Sequence, residues 1–293
     1  MFCLAQKQKF SCHHSFVFLV GFFLPGCSSE NEKKGKILLT LAGGSKGSFY
    51  GDLGEMLSET INSSSDSIEI ALQHTAGPEA NLRLLSGEEC QLAVTTSDLA
   101  YYAARAETPY EAESIASFSP LATLGVMPLH VLVSNNSNLK DWGRLAGKKI
   151  SLGRGGSRTH KLALLFLDYL ELELADFQDY YYTEEKALKS LSAGDIDAAF
   201  VADTAPFRGK ANPADYKLLP FHPAVLEECT DSTSFLVGCT IPAGTFYNQD
   251  EPAPGLGVEI LLLISKQAEE ILGEELLNEL KEILAPGITN PPY

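Results

Sequence analysis

Two stretches of this chain repeat one another. Leu84-Leu85-Ser86-Gly87-Glu88-Glu89-Cys90-Gln91-Leu92-Ala93-Val94 runs from the end of a helical pattern, through glycine and acid, into a core-type strand. Leu191-Ser192-Ala193-Gly194-Asp195-Ile196-Asp197-Ala198-Ala199-Phe200-Val201 does the same. An earlier echo precedes each. Gly43-Gly44-Ser45-Lys46 follows the apolar run Lys36–Ala42, and Gly155-Gly156-Ser157-Arg158 follows the strand pattern Lys149–Leu152. Both glycine loops open a helical pattern, so one strand–loop–helix arrangement is used twice in the same order.

Between the echoes, strands alternate with helices. From Ser48 to Asn62 the residues Phe49, Tyr50, Leu53, Met56, Leu57 and Ile61 fall on one helical face. Ser67–Thr75 and Cys90–Thr95 read as strands and Ser97–Arg105 as a helix. Pro78–Ser86 reads as a short helix with proline at its start and Gly87 past its end. The second half offers strands at Leu129–Ser134, Lys149–Leu152 and Asp197–Ala202, with helices at Lys161–Leu172 and Glu184–Ala193. A last helix is expected over Ser265–Leu284. Such alternation implies parallel sheets and an α/β class, here as two similar lobes.

Strand, glycine loop, helix is also the layout of a phosphate-binding loop, but the nucleotide spacings are missing. Ser48 stands where G-x-x-x-x-G-K-[ST] needs its second glycine, and Arg158 stands where a G-x-G-x-x-G over the second loop needs its third. Both loops keep a more general property. A helix N-terminus presents unpaired N–H groups and a partial positive charge, which suit a carboxylate or phosphate. The alternative is a tight turn capped by serine with the lysine in solvent. Two such edges facing each other would hold a small anion from both sides and close on it.

The formal net charge is -16, which excludes a basic nucleic-acid footprint over the whole chain and means that an anionic ligand needs local cations. At the N-terminus, Lys7 and Lys9 precede the ten-residue apolar stretch Ser15–Leu24. A membrane-spanning helix needs about 20 apolar residues, so this has the length of a signal-peptide core. Leu24-Pro25-Gly26-Cys27 follows and resembles a bacterial lipobox, with cleavage before Cys27 and lipid on its thiol. Ser28 in the next position favours the outer membrane, and the polar segment after Cys27 reads as a tether. Loss of residues 1–26 leaves 20 basic against 38 acidic residues, a formal -18. Cys229 and Cys239 could form a bridge in an oxidising compartment, whereas Cys90 beside a core strand reads as a small buried apolar residue. No metal-ligand spacing and no cofactor motif is present.

The order GGSKGSFY, HTAGPEANLRLLSG, TTSDLAYYA, PLHVLVS, LKDWGRLAGKKISLGRGGSRT, AGDIDAAFVADTAP, TIPAGTFYNQDE, from about Lys36 to Ala268, resembles the TAXI family. These are solute-binding proteins of tripartite ATP-independent periplasmic (TRAP) transporters. The resemblance implies a type II periplasmic-binding-protein fold, with two α/β lobes, a ligand cleft and two crossing segments. It implies capture of a small organic anion or amino acid, glutamate-like or a dicarboxylate, delivery to a TRAP permease in the membrane, and no catalysis. Carried over by position, the cleft is lined by Gly44, Ser45, Ser48 and Tyr50, by Ser97 and Asp98, by His130, and by Gly156, Ser157 and Thr159. Asp98 could orient a ligand ammonium or cap a helix; His130 could donate to a carboxylate or pack at the hinge. Lys46 and Arg158 depart from the small or hydroxyl-bearing residues expected there. Pointing inward they make the ligand more anionic, with Arg158 clamping one carboxylate through two parallel hydrogen bonds; pointing outward they change nothing.

The implied organisation is a lipoprotein signal peptide (1–26), a lipidated tether (27–35), lobe I (36–133 and 259–293) and lobe II (134–258). The crossings are expected near Val131–Ser134 and Val258–Leu263. Other readings are a lipid-anchored ligand sensor or antigen not coupled to transport, and the binding protein of an ABC importer. An enzyme is disfavoured because no nucleophile–base constellation can be assembled from these motifs.

Overall fold

The computed structural model describes residues 35–105, 107, 118–204 and 212–285. The signal segment, Cys27 and tether residues 28–34 lie outside them. The first half of the fold runs β1 (Ile37–Ala42), α1 (Phe49–Ser64), β2 (Ile68–Gln73), α2 (Pro78–Ser86), β3 (Leu92–Thr96), α3 (Ser97–Ala104). A long strand β4 (Phe118–Ser134) leads to β5 (Lys149–Ser151), α4 (Arg158–Tyr169), β6 (Gln178–Tyr180), α5 (Glu184–Ala193) and β7 (Ala198–Ala202). Then come β8 (Tyr216–Leu218), α6 (Pro223–Ser232), β9 (Leu236–Ile241), a second long strand β10 (Ala253–Ser265) and α7 (Lys266–Leu284).

The strands form one sheet in the order β2-β1-β3-β10-β4-β7-β5-β6, with β8 on β4 and β9 on β10. The order carries the internal repeat. β2, β1 and β3 are parallel and meet β10 antiparallel; β6, β5 and β7 are parallel and meet β4 antiparallel. The echoes of the sequence fall at like joints, β1 to α1 and β5 to α4, then α2 to β3 and α5 to β7, but the first is out of register: Gly47-Ser48, not Gly44-Ser45, matches Gly156-Ser157, because those are the left-handed glycine and the helix cap in each loop. This is the mixed α/β periplasmic-binding-protein fold with a curled sheet.

The two long strands belong to both halves. Ile260–Ile264 of β10 pair with β3, while Ala253–Val258 pair with β9. β4 lies along β10 from Phe118 to Leu129, and Leu129–Leu132 pair with β7. Where the ribbon passes from one half to the other, its backbones are close. A Cβ on Gly257 would stand 2.4 Å from the Met127 carbonyl oxygen, so no side chain fits there.

β4 begins eleven residues before the strand expected at Leu129. Its first part hides from a period-two reading because two register shifts interrupt the ladder and Leu121, Leu124 and Met127 are buried at intervals of three. Pro120 and Pro128 also argue against a strand, but at these two positions β4 pairs with β10 alone among the described strands, so the missing N–H groups leave no second ladder broken. α4 starts at Arg158, not Lys161, because Ser157 caps it. The core is apolar on both sheet faces. Leu39, Leu41, Leu53, Leu57, Ile61 and Ile68 fill the first half. Trp142, Phe166, Phe200 and Phe221 meet edge-on or tilted in the second, with the indole N–H of Trp142 donating to the Pro220 carbonyl at 2.8 Å. Among the described residues no helix is long and apolar enough to cross a membrane.

Candidate functional site

Because β1, β3, β5 and β7 run parallel within their halves, the segments that follow them gather at the carboxyl ends of the strands, where open α/β sheets take ligands. The first of these segments is a turn. Ser48 caps α1, accepting from the Gly51 N–H at 3.1 Å, and returns its own N–H and Oγ to the Ser45 carbonyl at 3.0 and 2.6 Å. That closure turns Ser45 and Lys46 outward, and both are exposed. Gly44 is buried, its carbonyl 3.0 Å from His74 Nδ1. The Gly43 carbonyl accepts from Thr75 Oγ1 and from the buried Asn81 amide, which also donates to the Val94 carbonyl at 2.7 Å. The loop is thus fixed from beneath, its buried carbonyl oxygens met by hydroxyl and amide donors.

In the second loop Ser157 accepts from the His160 N–H at 3.3 Å, and the exposed Gly156, at φ +76°, donates to His160 Nδ1. Thr159 Oγ1 accepts from the Ala202 N–H at 3.2 Å, tying α4 to the end of β7. Ser157 and Thr159 line a pocket of about 190 Å³ together with Gly153, Arg154, Thr183, Glu184 and Phe200.

Arg158, between them, sends its side chain to the other half. Nη1 donates to Tyr50 Oη at 2.6 Å and lies 3.5 Å from Met127 Sδ. Nε is 3.8 Å from Asp98 Oδ2. The side chains of Arg158 and Asp98 are only 16% and 5% exposed, so the pair is shielded from water. Arg158 thus reaches across to residues of the first half. Asp98 does not cap α3: Thr96 is the cap residue, and Asp98 accepts from the Thr96 hydroxyl while facing the guanidinium. Burial raises the pKa of the Tyr50 hydroxyl; Arg158 opposes this, while Asp98 and Asp203 add to it. Ser97 is committed to the scaffold, donating to the Phe235 carbonyl at 2.8 Å and accepting from the Glu259 N–H at 2.9 Å.

His130 is buried on β4 with its ring edge-on to Phe246 at 5.2 Å. Its Nε2 lies 3.1 Å from the Asp203 carbonyl, which can only accept, so Nε2 carries the hydrogen. Nδ1 is then a bare acceptor, buried without a partner among the described residues. Burial pushes the pKa down to about 4, against the Asp203 contact. A neutral His130 in this tautomer cannot give a carboxylate the hydrogen bond that the resemblance offers it. The sign of the linkage follows. The unfolded state takes up a proton near pH 6.5 and the folded state only near pH 4. His130 therefore favours the fold fully above pH 6.5, and that contribution fades as pH falls toward 4. The loss expected over this window is about 3 kcal/mol. Urea titrations between pH 7 and pH 4 should show it, and His130→Gln should flatten that part of the profile.

Three members of this cluster were missed in the sequence: Thr96, Met127 and Asp203. The echo could have found one of them. Extending the match of Val94 with Val201 by two residues reaches Asp203, the residue that follows β7 as Ser97 follows β3. Cys229 on α6 and Cys239 on β9 are free thiols here, as is the buried Cys90. Burial pushes the first two up to about 11 and Cys90 up to about 12, so none is a ready nucleophile.

Solved structures of other proteins share the fold, among them the following three. A TctC solute binding protein from Polaromonas aligns at 16% identity with a TM-score of 0.58, covering 86% of this chain and 84% of its own. The periplasmic aliphatic sulphonate binding protein SsuA from Escherichia coli aligns at 18% and 0.53, covering 85% and 74%. PhnD1 from Prochlorococcus marinus, in complex with methylphosphonate, aligns at 13% and 0.53, covering 84% and 83%. All three are far enough in sequence that the likeness is one of fold. The family comparison is by sequence and spans most of the chain: residues 41–282 match the NMT1-like family. The chain belongs to the NMT1-like family, whose fold it shares with periplasmic solute-binding proteins.

Proposed function

We propose that this protein is a TAXI-type solute-binding protein, anchored by lipid at Cys27 on the periplasmic side of a bacterial membrane, with the outer membrane favoured. It captures a small organic anion or amino acid between lobe I (36–133 and 259–293) and lobe II (134–258) and delivers it to a TRAP permease, without catalysis. The observation that carries the reading is Arg158. It is a shielded guanidinium from the second half of the fold, set among Tyr50 and Asp98 from the first and Met127 from the crossing ribbon. A cation in that setting suits one carboxylate. Asp98 is an acceptor beside it. That favours a ligand that also donates, a glutamate-like amino acid over a dicarboxylate.

The test is a thermal-shift screen of the soluble form from Ser28 with glutamate, dicarboxylates, alkyl sulfonates and neutral amides. A ligand at about 100 times its dissociation constant should add about 2.7 kcal/mol of stability. A shift with glutamate that exceeds the one with dicarboxylates is the expected result. A shift only with neutral amides would overturn the anion reading.

A further inference from the structure

A planar guanidinium binds a carboxylate best along an edge, through two parallel N–H groups. Arg158 has two such edges that meet at Nη2. In this structure each already has a partner on its other nitrogen: Tyr50 Oη on Nη1 at 2.6 Å and Asp98 Oδ2 beside Nε at 3.8 Å. An incoming carboxylate that takes either edge must displace one of them. Tyr50 is a neutral hydroxyl, but Asp98 is a carboxylate, the same chemical group that the ligand would bring. It is also held from behind by the Thr96 hydroxyl. The contact joins the first residue of α4, in the second half, to the first turn of α3, in the first.

We propose that Asp98 is an anion which the chain itself supplies to Arg158, an internal occupant of the ligand's place that holds the two halves together when no solute is bound. The inference rests on reading this cleft as the solute site. A ligand's anionic group exchanges with Asp98. A ligand that also carries an ammonium gives the displaced carboxylate a new partner; a bare anion leaves it buried and uncompensated. Asp98 thereby selects for zwitterions and against simple anions, and it keeps the empty protein closed.

Two measurements on the soluble protein test this. Small-angle scattering without ligand should give a larger radius of gyration for both Asp98→Asn and Arg158→Met than for the unmodified protein. Calorimetry with acetate, methanesulfonate and glutamate should show Asp98→Asn binding the two amine-free anions about tenfold more tightly and glutamate no more tightly; tenfold is about 1.4 kcal/mol. An unchanged radius in both variants overturns the proposal, as does weaker binding of acetate and methanesulfonate by Asp98→Asn. If both variants open but neither the unmodified protein nor Asp98→Asn binds any of the three anions, the latch stands and the solute-binding reading falls. Asp98→Asn keeps the shape of the side chain, so the test does not depend on the methionine variant alone.

Discussion

Methionine in place of Arg158 should weaken the hold on a carboxylate ligand by a hundredfold or more, the order expected for loss of a shielded charge partner. The same change leaves the Asp98 carboxylate buried beside Thr96 with no cation, so stability should fall by about 3–5 kcal/mol. The two effects separate in Arg158→Lys. A lysine keeps the charge near Asp98 but lacks the planar fork that reaches Tyr50 and a ligand edge together. Its urea midpoint should lie near that of the unmodified protein while its affinity, read by calorimetry, falls toward that of the methionine variant. Equal affinity of the lysine and arginine forms would mean that charge alone is recognised at this position.

Alanine at Gly51 should cost about 3 kcal/mol, the upper range for overpacking a fixed core. A Cβ there would stand 2.2 Å from the Ser45 carbonyl oxygen and 2.9 Å from its carbon, both of them backbone. The oxygen is the one to which Ser48 closes the first loop, so relief of the clash must push the turn away from α1. Tyr50, next to Gly51, would leave its place against Arg158. Urea unfolding reads the stability and calorimetry the lost affinity. Gly155→Ala is the control, since nothing lies within 4 Å of a Cβ at that position; its stability should match the unmodified protein.

How much of this was legible in the sequence varies by element. α2 and α5 have the bounds read from the chain, because Pro78, Gly87 and Gly194 punctuate them. The doubled architecture was legible because joints of equal geometry need residues of equal kind: glycine where a strand meets a helix closely, small apolar residues where a strand enters the core. The first half of β4 was not, since its bulges break the alternation that a pattern reading depends on. The site divides in the same way. Ser48 and Ser157 cap their helices, as hydroxyls before an apolar face announce. The likeness of Gly43–Lys46 to Gly155–Arg158 is out of register by three residues: Gly47-Ser48 matches Gly156-Ser157, so Lys46 lies inside its turn while Arg158 opens α4 in the place that Phe49 has in α1. What directs Arg158 is distant from it in sequence: Tyr50, Asp98 and Met127. Asp98 reads as a cap for the same reason, because its true partner lies sixty residues on.

The sheet order also fixes when each half can be completed. β3 ends in the first third of the chain, yet the strand that covers its outer edge is Ile260–Ile264, near the other end. The second half waits less, for β4 through β8 are contiguous and pair among themselves, and only β9 and the outer part of β4 need β10. A chain emerging from its N-terminus would therefore present an apolar, unpaired edge at Leu92–Thr96 until almost all of it had appeared. Long-range pairings of this kind are slow to close and exposed to wrong partners meanwhile. The half that is written first is the half that is finished last.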